Sequence, residues 1–176
     1  MKKLTYLLLG VTCLFVVSSC QDNVHSKNYN DLTLVDYDGI RFIQNGIEGG
    51  LTEIKAAQLA KTNSTNQQVV SFANMMITDH KDVGAHLKKI RKDKLVDTQD
   101  RISVEHQHMI TALSLKKGAE FDKAYMQMMV QDHEHAISLF IDGSSNTSSE
   151  IKNFAEETLP TLHKHLESAK SIYMHL

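Results

Sequence analysis

A six-residue segment occurs twice in this chain, and each copy lies on a long helical stripe. Met75-Met76-Ile77-Thr78-Asp79-His80 returns as Met128-Met129-Val130-Gln131-Asp132-His133, and the same register aligns Phe72 with Tyr125. Around the first copy, Val69, Ala73, Met76, His80, Val83, Leu87 and Ile90 recur at steps of four and three. Around the second, Met126, Met129, His133, Ala136 and Phe140 share one stripe. That spacing gathers apolar side chains on one face of an α-helix and carries the histidine inward with them. It predicts helices over residues 66–92 and 119–141. Each histidine then falls about fourteen residues, roughly 21 Å, along its helix. A parallel pair puts both at one level, and a parallel pair needs a long crossover. Residues 93–118 are long enough to supply it. They contain a shorter amphipathic stretch at 102–116, with Gly118 as its stop.

The remaining pattern is helical as well. Ile43, Ile47, Leu51 and Ile54 form the seam of a helix over 41–61, beside a second stripe of Gly46, Gly50, Glu53, Ala57 and Ala60. Ile151, Ala155, Leu162, Leu166, Ala169 and Ile172 mark another from 148 to the end, after the turn cluster Asp142-Gly143-Ser144-Ser145-Asn146. Pro160 falls inside this last helix, which predicts a kink there or a break just before it. One proline, no tryptophan and few two-residue alternations argue against a sheet. The expected class is all-α: a four-helix bundle whose second and third long helices are joined by a crossover containing a short helix. Asn63-Ser64-Thr65 and Asn146-Thr147-Ser148 fit the glycosylation acceptor pattern, but both read better as helix connections.

The first nineteen residues do not belong to that fold. Lys2 and Lys3 open the chain, residues 4–17 are apolar, and Ser18-Ser19-Cys20 closes the run. This is the layout of a secretory signal peptide, too short for a comfortable membrane span. Small residues before Cys20 resemble a bacterial lipobox, which makes Cys20 the lipidated first residue of the mature chain. Residues 20–37 then form the anchor and a polar tether, and 38–176 the bundle domain. Gln21, in place of Asp beside the anchor, directs a Gram-negative lipoprotein toward the outer membrane. The expected partner is therefore a membrane, reached through the lipid. A formal charge of −2 gives no reason to expect nucleic acid. Cys13 leaves with the signal, so the mature chain has neither a disulfide framework nor a cysteine metal site of its own.

Several motifs together resemble one family. They are Glu53-Ile54 among small residues, Phe72-Ala73-x-x-Met76-x-x-Asp79-His80, Gly118-x-x-Phe121-Asp122-x-x-Tyr125, Met129-x-x-Asp132-His133, and Leu159-Pro160-x-Leu162-x-x-His165-Leu166. Across roughly residues 38–175 the chain resembles the domain of unknown function 4142 family. The resemblance implies a ferritin-like bundle in an exported bacterial protein, and no established activity.

Ionisable groups on an inward stripe are costly unless paired or bound to a cation. Glu53, His80 and His133 are the inward candidates, with Asp79 and Asp132 beside the histidines as orienting carboxylates. Imidazole and carboxylate suit a divalent transition metal: iron, manganese, zinc or copper. A ferritin-type di-iron centre also needs Glu-x-x-His, and Ile77, Val130 and Leu162 stand where its glutamates would be. No ferroxidase is expected on these grounds, and the reading leans away from an enzyme without excluding one. Asp122 reads either as an outlying ligand or as a helix-dipole partner near a helix start. Counting residues from the last turn leaves His165 about 13 Å out of level with His133. Met75, Met76, Met126, Met128 and Met129 read as core packing, or as soft ligands for copper(I). Two functions remain: a structural or binding module whose polar stripe locks the bundle, and a metal-binding, stress-related envelope protein.

Overall fold

The first three described helices start where a side chain takes over a free amide, and the last two start without one. The computed structural model describes residues 35–176, so the signal segment, Cys20 and most of the tether lie outside the described residues. Five helices follow in order: α1 (Tyr37–Asn63), α2 (Gln67–Asp93), α3 (Val104–Ser114), α4 (Gly118–Gly143) and α5 (Ser149–Tyr173). Asp36 caps α1 by accepting from the Gly39 amide at 2.7 Å. That cap starts the helix ahead of the apolar seam that marked its beginning at residue 41. Asn66 caps α2 through the Gln68 amide at 2.9 Å, and Ser103 caps α3 through the His106 amide at 3.1 Å. Gly118 is the first residue of α4 rather than the last stop of α3. Its φ of +57° lets the chain reverse there.

Pro160 neither breaks nor ends α5, which runs continuously from Ser149 to Tyr173. The residue is exposed, so the Glu156 carbonyl that loses its amide partner can turn to water.

α1 and α2 form one hairpin and α4 and α5 the other, and α1 packs on α4 while α2 packs on α5. Two contacts fix the directions. At the end of α1, the buried Asn63 side chain donates to the Lys116 carbonyl at 3.1 Å and accepts from Lys117, just before α4. At the start of α1, Phe42 meets Phe140 near the end of α4, with ring centroids 4.9 Å apart. α1 is therefore antiparallel to both α2 and α4, and the parallel pair α2/α4 lies across the diagonal. Residues 94–117 cross over with α3, which is held to α1 by Glu48. Its Oε1 accepts from the Ser103 amide at 2.8 Å and lies 2.7 Å from His106 Nδ1. This is the ferritin-like topology with one crossover.

The apolar core comes in two clusters. One gathers Ala57, Phe72, Met76, Phe121, Tyr125 and Met129. The other gathers Phe42, Ile47, Leu87, Phe140, Phe154 and Leu162. Met76, Met126, Met128 and Met129 are buried in the first, with Met75 packed against it. On each long helix a buried polar residue, Glu53, His80, His133 or His165, lies at or next to the change from one cluster to the other. No helix among the described residues is long and apolar enough to cross a membrane.

Candidate metal centre

The same stripe that builds the core delivers the polar residues into it. Glu53, His80, His133 and His165 are all buried, at 5% exposure or less. Glu53 Oε2 lies 2.7 Å from His80 Nε2 and 3.7 Å from His133 Nε2. One ligand atom from each of the three imidazoles can be chosen so that all lie within 4.8 Å of one another. Each long helix thus gives one group to one level of the bundle.

His165 is the correction to the sequence reading. Its ring lies 5.7 Å from that of His80 and 5.3 Å from that of His133, centroid to centroid, not a dozen ångströms out of level. Counting from the turn had assumed that α4 and α5 meet it at one height. Instead a Cβ on Gly143, the last residue of α4, would stand 3.3 Å from Ala155, more than a turn into α5. Ten residues back from Gly143 is His133, and ten forward from Ala155 is His165.

The neighbouring carboxylates also take other places than their spacing suggested. Asp79 does not serve His80, the next residue; its Oδ2 accepts from His165 Nε2 at 2.9 Å. Asp132 bonds to none of the histidines. Its Oδ2 is buried without a hydrogen-bond partner among the described residues. Burial, reinforced by Glu53, lifts the Asp132 carboxyl to about 7. Asp122 does not cap α4, where Lys117 is the capping residue; it is buried at 4% exposure with Oδ1 unpartnered.

The hydrogen bonds around the cluster decide which atoms face its centre. His133 Nδ1–H donates to the Met129 carbonyl at 2.8 Å, which turns Nε2 toward the centre. His165 donates from Nε2 to Asp79, which leaves Nδ1 bare. His80 Nε2 and Glu53 Oε2 approach without an aligned hydrogen bond. Those four atoms, Glu53 Oε2, His80 Nε2, His133 Nε2 and His165 Nδ1, are all buried without a hydrogen-bond partner among the described residues. Burial opposes charge on Glu53, but the His80 and His133 imidazoles outweigh it and hold the carboxyl at about 2. Burial also opposes a proton on His80, yet Glu53 raises that group above its ordinary value. For His165 burial wins, and His133 and His80 add to it, so its value is lowered despite Asp79. An ionised carboxylate held this deep needs a positive neighbour, which a proton or a cation can supply.

A cavity of about 330 Å³ reaches the cluster from the α1–α4 side. Glu53 and His80 lie on its wall, with Gly49, Gly50, Asp132 and Leu162 around them. Sequence reasoning saw no such opening, because a cavity is written in side chains that are missing.

Fold and cluster together define a class: ferritin-like bundles in which four helices each place one residue in a buried three-histidine, one-glutamate site. The chain belongs to the family described as domain of unknown function DUF4142, which it matches over residues 30–172. It is similar in fold to the crystal structure of a DUF305 fragment from Deinococcus radiodurans, with a TM-score of 0.72 and 14% identity. That match covers 81% of this chain and 99% of the fragment, and at such identity it speaks for the fold alone. No match was found among curated proteins.

Proposed function

We propose that this protein binds one divalent transition-metal ion at Glu53, His80, His133 and His165, and that it does so at the cell envelope, held there by a lipid on Cys20. The observation that carries the reading is the convergence of Glu53 and three imidazoles from four helices, whose inward atoms are buried and make no aligned hydrogen bond among the described residues. Buried polar atoms without partners are rare, and an ion at their centre accounts for all four together. A tetrahedral ion with bonds of about 2.0 Å holds its ligands about 3.3 Å apart. To reach that spacing the three imidazoles, whose ligand atoms lie within 4.8 Å of one another, would draw together, and the 2.7 Å approach of His80 to Glu53 would open. Three imidazoles and one carboxylate suit zinc, copper or iron better than magnesium or calcium. The bonds from His133 to Met129 and from His165 to Asp79 are the outer contacts that orient metal-binding imidazoles.

The competing reading is a structural module in which the cluster only fixes helix register, and the 2.7 Å approach of His80 to Glu53 favours it. One experiment separates the two. Full-length protein purified under native conditions is analysed for metal and melted with and without chelator. The metal reading expects close to one ion per chain and a lower melting temperature after chelation. A His80→Ala/His133→Ala double mutant should hold no metal and be indifferent to chelator. Metal-free protein whose melting does not respond to added zinc, copper, iron or manganese would leave the structural module standing.

A further inference from the structure

The proposed centre is buried on every side, so an ion needs a way in. Of its four side chains, one is tied to a group that solvent reaches. His165 Nε2 donates to Asp79 Oδ2 at 2.9 Å, and the Asp79 side chain is 35% exposed. The other imidazoles are held from within: His133 by the Met129 carbonyl, and His80 against Glu53. His165 Nδ1 is buried at the centre while Nε2 faces outward, so this ring stands between the ligand set and the exterior. Its one hydrogen bond among the described residues is the bond to Asp79.

Asp79 opens onto a groove of about 300 Å³ between α2 and α5. These helices make the loosest of the four side-by-side pairings of long helices. Asp82 and Glu157 line the groove with Asp79, and among the described residues no lysine or arginine does. Neither Asp82 nor Glu157 has an ion pair among the described residues. Elsewhere on the surface Asp93, Asp100, Glu120 and Glu134 each meet a lysine. Three carboxylates around one opening, with no such partner, draw cations toward it.

The opposite side of the bundle is less suited to an ion. The α1–α4 cavity touches Glu53 and His80, but Glu53 Oε2 and His80 Nε2 are themselves buried. Its Glu48 carboxylate already accepts from the Ser103 amide and lies against His106. Much of the remaining wall is apolar, including Val83, Ala136, Leu139 and Leu162. A hydrated ion would give up water there with little in exchange.

We infer that a divalent cation enters the centre through the groove between α2 and α5, past His165. Asp82 and Glu157 gather the ion and Asp79 takes it up. The His165 ring swings aside by giving up a single hydrogen bond, and the same bond closes behind the ion. This rests on the metal reading above and adds a route to it.

Cobalt(II) chloride is the probe, because its visible bands change when imidazoles replace water. Metal-free full chain in detergent is mixed with it in a stopped-flow cell, and release is followed after adding EDTA. Asp82→Asn/Glu157→Gln should take up cobalt about tenfold more slowly than wild type at low salt. That gap should narrow as added salt screens the carboxylates. Thr161→Trp, which plugs the groove, should slow uptake and release by a similar factor and leave the affinity unchanged. Gly49→Leu lies on the α1–α4 side, where a Cβ meets nothing within 4 Å, and should change neither rate. All of these proteins should end with the same cobalt content. Wild-type rates in the groove variants overturn the inference and leave the metal reading intact. So does a gap that salt fails to narrow, or slowing by Gly49→Leu that matches Thr161→Trp. Failure of the wild type to take up cobalt overturns the metal reading, and this inference with it.

Discussion

At Asp79 one oxygen decides which face His165 presents to the centre. While Oδ2 accepts from Nε2, the imidazole is held with Nδ1 bare and inward. Asp79→Asn keeps the shape but removes the charge that favours this tautomer, so metal affinity should fall about 10–100-fold with the fold intact. Competition against a chelator of known affinity measures it. Asp132→Asn, next to a ligand but bonded to none of the histidines, should change that affinity far less. A different residue, Gly143, tests the packing. A Cβ there would stand 2.5 Å from the buried Phe42 ring, so Gly143→Ala should destabilise by about 1–3 kcal/mol, read from urea unfolding. Glu53, His80 and His133 were legible in the sequence because each lies on an apolar stripe, and a stripe is a local pattern. The Asp79–His165 bond was not, since its partners are far apart in the chain and only the packing of α2 on α5 brings them together.

For the helices themselves, ends and levels matter more than propensity. Asp36 begins α1 and also binds the loop before α5, accepting from Asn146 at 3.0 Å and from Thr147 at 2.8 Å. The Gly39 amide, with Asn146 and Thr147, lowers its carboxyl below the ordinary 3.8. A lowered value in the folded state adds stability above the unfolded value and loses it as pH falls through the folded one. Asp36→Ala should therefore cost about 1 kcal/mol at neutral pH. The gap between mutant and wild type in urea midpoint should close below about pH 4. An unchanged gap in acid would show that the carboxylate charge is not what the cap supplies. The repeated Met-Met-x-x-Asp-His segment announced the parallel α2/α4 pair, because equal register in two parallel helices means equal height. Antiparallel neighbours carry no such signal. How far residues 144–148 carry the chain past the end of α4 is set by loop path and by Asp36, a hundred residues earlier, so the height of His165 could not be read by counting.

At the scale of the whole molecule, the proposed lipid anchor precedes the bundle. If Cys20 is the anchor, Cys20→Ala should leave an unprocessed precursor that takes up no labelled fatty acid; normal maturation and unchanged detergent partitioning would remove the anchor from this account. Fold class was the most legible level, since helix periodicity, scarce proline and one long crossover all agree. The polar layer has a further consequence for how the bundle unfolds. It divides the apolar interior into two short columns, with the boundary at the same height on all four long helices. Without a cation the two columns are coupled through imidazole and carboxylate alone, and each end of the molecule is free to open on its own. With one bound, four helices are riveted at the waist and opening either end must break the same bonds. Native-state hydrogen exchange should find two cooperative units in the metal-free protein, one around Phe72 and Met129, the other around Phe42 and Phe140. Adding metal should fuse them into one.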